Sequence, residues 1–481
     1  MLLTLTSVLD SASTSVGKRM HRSSMEMDSF FGKISKYSGS VPSRKRKRNF
    51  GFPLNRRSES YEDCIVCFDG DDFELCDRMG CPNPYHPSCV KREKVLVQAK
   101  ENLNSGTGED KISALPDSLL YYILSFVSIK DAATTSILSK RWRPLWLSQL
   151  FLNLDDEPFP DSPTFCNFVY SLMAMRDITL PILSFHLQCW NDYDCRDIYN
   201  FLYIAIQRGV ENLNIDFSHS LFSQMTLPSF VFSSKTLSIL KLKQITLNEV
   251  PFVNLPSLKA LYLDVVTFTY YELILKLLSG CPILQYLGTN NLVVELPYSE
   301  RPVISLSNLI RANICDIHIE FDWLQNVERL RATVLMEKLP YTFQRIAMFH
   351  NLTYMELIIN YQHFPRAWMF NGMIKLLEYC PKLQSLIIEE GFTFHKLYDE
   401  DWEEPKIILK CLSSHLRICS LRNFKGMKCG LHFAKFIMKN SRVLSVMTIQ
   451  SPEFTDTNAK HRMLMELSSC PKSSTCKLLF E

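Results

Sequence analysis

Leu237-Ser-Ile-Leu240-Lys-Leu242-Lys243 and, twenty-one residues on, Leu258-Lys-Ala-Leu261-Tyr-Leu263-Asp264 carry one pattern. An apolar residue is followed by two spacers and then by two apolar residues with one residue between them. Successive side chains of a strand point to opposite faces. The second and third apolar positions therefore share a buried face, while the residues alternating with them face outward. The pattern recurs upstream as Leu147/Leu150/Leu152, Ile182/Phe185/Leu187 and Val210/Leu213/Ile215. Downstream it continues as Leu284/Leu287 with a degenerate third position, Leu309/Ala312/Ile314, Leu352/Met355/Leu357, Leu383/Leu386/Ile388, Leu416/Cys419/Leu421 and Leu444/Met447/Ile449.

Most of these spacings lie near the roughly 20–29-residue period of leucine-rich repeats, and the longer ones leave room for insertions. The returns between strands read as helices. Leu273, Ile274, Leu277 and Leu278 form one stripe, Gly280 stands at a C-terminal cap and Pro282 prevents continuation. Met373, Ile374, Leu376 and Leu377 before Cys380-Pro381 repeat the design, as do Phe433, Phe436 and Ile437 before Leu444. A generic α/β domain with leucine-rich strands is the alternative; the recurrent helix, Cys-Pro, strand order favours an α/β repeat solenoid.

The chain has 481 residues, of which 46% are hydrophobic and 21% charged, which excludes wholesale disorder. The net charge of +3 is uneven. Residues 1–60 hold twelve Lys/Arg, five of them in Arg44-Lys45-Arg46-Lys47-Arg48, against four acids. The rest of the chain is net acidic, so nucleic-acid binding is not expected outside that tail. Glycine is scarce, and neither GxGxxG nor GxxxxGK[ST] occurs. The longest apolar stretch, Leu119 to Ile129, falls short of the ~20 residues that span a bilayer. The first residues lack a basic segment, so no secretory signal is expected. The sixteen cysteines are then expected as reduced thiols, most of them buried small hydrophobes.

Five cysteines need another explanation: Cys64-x2-Cys67-x8-Cys76-x4-Cys81-x4-His86-x2-Cys89. A Cys-x2-Cys turn presents two thiolates at the angles tetrahedral zinc requires. The ligand order, with Cys81-Pro-Asn-Pro-Tyr-His86-Pro-Ser-Cys89, resembles a PHD finger, but the closing Trp-x-Cys-x2-Cys is absent. By that resemblance Cys64, Cys67, His86 and Cys89 hold one zinc, and Cys76 and Cys81 are half of an incomplete second site.

Residues 111–155 read as a compact helical module. Pro116 and Asp117 open a helix whose stripe is Leu119, Ile123, Phe126 and Val127, with Leu120 and Leu124 beside it. A second segment, Lys130–Leu138, leads to Ser139, an expected N-cap of a third helix that Pro144 forces to kink or start late. The stretch Leu-Pro-Asp-x-Leu-Leu…Ile-Leu-Ser-Phe…Lys-Asp-Ala…Ser-Lys-Arg-Trp-Arg-x-Leu-Trp closely resembles a plant-type F-box. Leu255-Pro-Ser-Leu-Lys-Ala-Leu-Tyr-Leu-Asp, Phe424-Lys-Gly, Met447-Thr-Ile and Glu466-Leu-Ser-Ser-Cys-Pro are similar to plant F-box/LRR proteins with a terminal FBD module.

The resemblance implies a substrate-recognition subunit of an SCF-type cullin–RING ubiquitin ligase. It would be non-catalytic and bound to a Skp-family adaptor, and through it to cullin and RING subunits. The adaptor contacts implied are Leu115, Pro116, Leu119, Ile123, Leu124, Leu138 and Trp142; the plainer reading is that these pack inside the module. Outward strand positions Lys241, Lys243, Tyr262, Asp264, Tyr286, Arg311, Tyr354, Glu356 and Glu389 would contact a target protein, or form an ordinary solvated face. No cofactor is expected in the F-box or repeats, and the location is nuclear and/or cytoplasmic. The alternatives are a chromatin-associated protein working through the PHD-like segment and a decayed paralogue. The resulting order is basic tail 1–60 (expected disordered), zinc segment 61–95, linker 96–110, F-box 111–155, repeats 156–401 and FBD module 402–481.

Overall fold

The computed structural model describes residues 115–481 except 125–128, 138–139, 191–192, 218–224, 251, 297–303, 316–317, 336–347, 361–365, 392–401, 403, 408, 454 and 472–475. The basic tail, all six Cys/His positions from Cys64 to Cys89, the linker and Leu138 lie outside the described residues. Two compact units follow, one ending at Pro181 and one from Ile182 to Glu481.

In the first unit, α1 (Asp117–Leu124), α2 (Ile129–Thr134) and α3 (Trp142–Leu147) precede strand β1 (Phe151–Asp155) and α4 (Ser162–Met175). The Pro116 carbonyl accepts from Leu119 N at 2.9 Å and Leu120 N at 3.2 Å. Pro116 thus sits just before the helix rather than in its first turn. The third helix starts late, as Pro144 requires, but its N-cap is Arg141 rather than Ser139. The first repeat is also shifted by two residues from the sequence reading. Leu147 belongs to α3, and the alternating buried pair of β1 is Leu152 and Leu154. Arg176, buried at the end of α4, donates from Nη1 to the Leu147 carbonyl (2.8 Å) and to that of Gln149, and from Nη2 to that of Pro181 (3.1 Å). It thereby satisfies carbonyls beyond the end of α3 that the helix itself cannot.

The second unit opens with β2 (Ser184–Gln188), α5 (Cys195–Gln207), β3 (Asn212–Asp216), β4 (Ile239–Lys243), β5 (Thr246–Leu247), β6 (Ala260–Asp264), β7 (Thr267–Tyr270) and α6 (Tyr271–Ser279). It continues with β8 (Tyr286–Asn290), β9 (Val293–Leu296), β10 (Arg311–Cys315), β11 (Arg329–Leu335), β12 (Tyr354–Asn360), α7 (Arg366–Glu378) and β13 (Ser385–Glu390). The last elements are α8 (Lys410–Ser414), β14 (Ile418–Arg422), α9 (Lys428–Asn440), β15 (Val446–Ile449), α10 (Thr457–Ser468) and β16 (Lys477–Phe480).

One parallel ladder runs β2-β3-β4-β6-β8-β10-β11-β12-β13-β14-β15-β16, and a small second sheet runs β5-β7-β9. Register is kept from strand to strand: Leu213 faces Leu240, Leu240 faces Leu261, Leu261 faces Leu287 and Leu287 faces Ala312. The second and third apolar positions of each repeat are thus stacked into two buried rows. The stripes read for α6, α7 and α9 are buried. Two strands of the long ladder were not read from the apolar spacing. β11 carries Leu330 and Ala332 in register with β10 and β12, and β16 closes the ladder beside β15.

Candidate functional site

Two surfaces hold the residues singled out from the sequence. On the first unit, the apolar residues of α1 divide by exposure. Leu119, Leu120 and Leu124 are buried, as is Trp142 of α3. Pro116 and Tyr121 are exposed, Leu115 is half-buried, and Ile123 is 43% exposed. Ile123 is a large apolar residue left open on α1 of the kind that marks a contact surface, while Tyr121, two positions earlier, lies on another side of the helix. Arg141, which the sequence reading assigned no role, braces the start of α1. Its Nε and Nη2 donate to Asp117 Oδ1 at 2.9 and 2.6 Å, and Nη2 also donates to the Leu115 carbonyl at 2.6 Å. As an exposed ion pair it adds about 0–1 kcal/mol of stability; its larger effect is to fix the start of α1 against the start of α3.

The second surface is the polar face of the long sheet, built from the residues that alternate with the buried rows. In the fifth row Asp216, Lys243, Asp264 and Asn290 stand at one register on β3, β4, β6 and β8. Lys243 Nζ lies 3.6 Å from Asp216 Oδ2 and 3.7 Å from Asp264 Oδ2, and Asn290 Nδ2 donates to Asp264 Oδ1 at 2.7 Å. In the third row Lys241 Nζ sits 4.6 Å from the Tyr262 ring centre. Burial pulls the Lys241 ammonium down to about 8, because the charged form loses water there. The Tyr262 ring packs 4.6 Å from that of Tyr286. Gly288 permits this: a Cβ there would lie 3.0 Å from the Tyr286 ring and 3.2 Å from that of Tyr262. Tyr286 is consequently buried, with 7% of its surface exposed.

Further along, Arg311 stands in register with Tyr286 on one side and Arg329 on the other. The Arg329 guanidinium lies 4.6 Å over the Tyr354 ring. Tyr354 Oη donates to Glu356 Oε2 at 2.9 Å, and Arg422 Nη1 donates to Glu356 Oε1 at 3.1 Å, with Arg331 Nε 3.7 Å from the same oxygen. Glu356 is 5% exposed and spends its oxygens inside this network. Burial, then the Glu356 charge and hydrogen bond, push the Tyr354 phenol upward, so it remains a neutral donor. Glu389 stands in register with Arg422. The nine outward positions therefore fall into three neighbouring groups. The sequence reading missed Arg329, Arg331 and Arg422: the first two belong to a strand it did not recognise, and the third follows Leu421 at the outward offset that Lys243 and Asp264 occupy.

Among the described residues, no group of three or more His, Cys, Asp or Glu is arranged to hold a metal ion. Eight of the eleven described cysteines are buried and all are free thiols. Burial pushes Cys281 and Cys419 up to about 12 and Cys411 up to about 11, and raises Cys380 as well. They are poor nucleophiles. A depression of about 490 Å³ between Gln285, Asn308, Ile310 and Glu328 contains none of the sequence-predicted contact residues.

Comparison with known proteins adds the family. Residues 112–154 match the F-box domain model and residues 404–449 match the FBD model. An FBD-associated F-box protein of Arabidopsis thaliana is 30% identical over 430 residues, covering 77% of this chain and all of that protein. An F-box/FBD/LRR-repeat protein of the same plant is 30% identical over 421 residues, again covering 77% of this chain and all of its own length. A second F-box/FBD/LRR-repeat protein from that organism is 36% identical over 217 residues, 44% of this chain and 47% of its own. With identity at this level sustained over the full length of such relatives, the chain belongs to the FBD-associated F-box protein family.

Proposed function

We propose that this protein is the substrate-recognition subunit of an SCF-type ubiquitin ligase. The first unit docks on a Skp-family adaptor, and the second, read as a leucine-rich-repeat solenoid with its FBD module, holds a target protein. The observation that carries the reading is the F-box match over α1 to α3, together with the exposed Ile123 of α1 and the exposed Pro116 just before that helix. The contribution to transfer is proximity: holding the target beside the charged enzyme converts a bimolecular step into an effectively intramolecular one. No side chain of the receptor then needs to react. The test is adaptor binding by the full chain against an Ile123→Glu variant, which changes an exposed residue and spares the core. Expected is tight binding that falls at least tenfold in the variant, with an unchanged thermal midpoint. A folded wild-type chain that does not bind the adaptor sinks the reading.

The reading extends to the zinc segment, which we propose holds one structural ion through Cys64, Cys67, His86 and Cys89. Three thiolates and an imidazole suit tetrahedral Zn²⁺, and the basic run 44–48 suits a protein present in the nucleus as well as the cytoplasm. Elemental analysis of the purified full chain is expected to find about one zinc per chain, lost in a Cys64→Ser/Cys67→Ser variant; a metal-free wild-type protein refutes the assignment.

A further inference from the structure

The polar sheet face holds an arrangement that folding alone does not favour. Arg311 and Arg329 face each other at one register on adjacent strands β10 and β11. Arg331 follows two residues later on the same face. Like charges directly opposite in a sheet destabilise it. Adjacent strands are about 4.8 Å apart, and a two-residue step along a strand is about 6.6 Å. Three guanidinium-bearing residues thus project from an area no wider than a few side chains. Among the described residues of the neighbouring strand, the acid on that face is Glu356 of β12, in register with Arg331. It is occupied: Oε1 is shared by Arg331 and Arg422 and Oε2 takes the Tyr354 hydroxyl. Arg329 rests its flat face on Tyr354. Stacking of that kind uses the π face and leaves the N–H edge of a guanidinium pointing outward. Among the described outward positions of β11 to β14, Arg329, Arg331 and Arg422 outnumber the acids Glu356 and Glu389.

We propose that this strip binds an extended acidic segment of the target protein, with one carboxylate over Arg329 and Arg331 and a second near Arg422. Charge complementarity selects the occupant, and the spacing sets its form. Arg331 Nε and Arg422 Nη1 lie 3.7 and 3.1 Å from the same Glu356 oxygen, so the two guanidinium groups stand within about 7 Å of each other, a gap that two residues of extended chain cover. Acidic side chains two positions apart, on one side of an extended segment, match them. Carboxylates also fit the planar fork of arginine better than a single lysine would hold them. The inference deepens the receptor reading and rests on it, because it names what the second unit recognises.

The test uses the full chain and a fluorescein-labelled ten-residue peptide with glutamates at positions 4 and 6 among serines and glycines. Fluorescence anisotropy is expected to show saturable binding that weakens as salt is raised and drops at least tenfold in Arg329→Ala/Arg331→Ala. A Lys382→Ala variant, which removes an exposed charge elsewhere, should bind like wild type. The charge-preserving Arg331→Lys should fall between, and circular dichroism of each variant confirms that it is folded. Wild-type chain that ignores the peptide, or a double variant that binds as well as wild type, overturns the proposal. So does a phosphoserine peptide that binds where the glutamate peptide does not. Adaptor binding measured on the same preparations separates the two readings: loss of peptide binding with adaptor binding intact strikes only the acidic-segment proposal.

Discussion

Backbone conformation at single residues shows a device that the sequence hid. Gln244, Val265, Asn291 and Asn423 all have φ between +50° and +53°, and each directly follows a strand of the long sheet. The left-handed turn redirects the chain out of the sheet; after β4, β6 and β8 it leads into the small sheet β5-β7-β9. Asparagine tolerates this region, whereas a β-branched side chain there is strained by about 1–2 kcal/mol. Val265 has no matching packing requirement, being 38% exposed. Val265→Asn is therefore expected to stabilise the second unit by about 1 kcal/mol, read as a higher midpoint in urea, while Asn291→Val should lower it. Gly280 shows the reverse kind of miss. Its place at the end of α6 was legible, but its φ is an ordinary −78°. It is glycine because a Cβ would lie 2.5 Å from Val253 Cβ and 2.7 Å from that residue's carbonyl oxygen, a neighbour no local pattern reveals. Lys241 adds a pH dependence. Its folded value of about 8 lies below the ordinary 10.5, so between these pH values the unfolded chain binds the proton and the folded one does not. Stability from this group rises with pH across that window. Relative to Lys241→Met, the wild type should gain stability between pH 8 and 10; a parallel pair of pH profiles would count against a buried ammonium.

At the scale of elements, the apolar spacing located most strands of the long sheet, β10 with its small inward Ala312 among them. It failed at β11. β11 offers Leu330 and Ala332 inward, flanked by Glu328, Arg329 and Arg331, and read alone it resembles a charged loop. Its strand character comes from its neighbours: Ala332 is held in register between Ile314 and Leu357 and is 1% exposed. A larger side chain has nowhere to go, so Ala332→Leu is expected to cost about 1–3 kcal/mol through overpacking; denaturation showing no loss would mean that the row is loosely filled. The cysteines carry the same lesson chemically. They were read as buried small hydrophobes, and Cys281, Cys380, Cys411 and Cys419 have thiols held protonated by burial. Among the described cysteines Cys195, exposed in the first turn of α5, should react first with iodoacetamide at pH 8. Peptide mapping that finds Cys281 or Cys419 modified as early as Cys195 would show that the fold opens around them.

Across the whole molecule, an F-box followed by a repetitive parallel sheet was legible because the two signals are of different kinds. The F-box announces itself by residue identity, with Leu-Pro-Asp at one helix start and Arg-Trp at another. The sheet announces itself by period. What the sequence did not reveal is which named residues are free to meet a partner, since exposure depends on neighbours distant in the chain. Leu119 and Leu124 face inward while Ile123 does not, and Tyr286 and Glu356 occupy outward positions yet are covered by Gly288-permitted stacking and by two arginines. The two surfaces share no residue and belong to separate compact units. Substitutions on them should act independently, as distant sites without common partners do. Ile123→Glu is expected to weaken adaptor binding at least tenfold and leave the acidic peptide bound with wild-type affinity. Arg329→Ala/Arg331→Ala should do the opposite, and the combined variant should show both losses, each within about twofold of its single-surface value. If the peptide instead changed the affinity for the adaptor, linkage would require the adaptor to change the affinity for the peptide by the same factor. A receptor that only tethers needs no such coupling, so measuring either affinity with the other partner saturating decides whether this chain is a passive bridge or a switch.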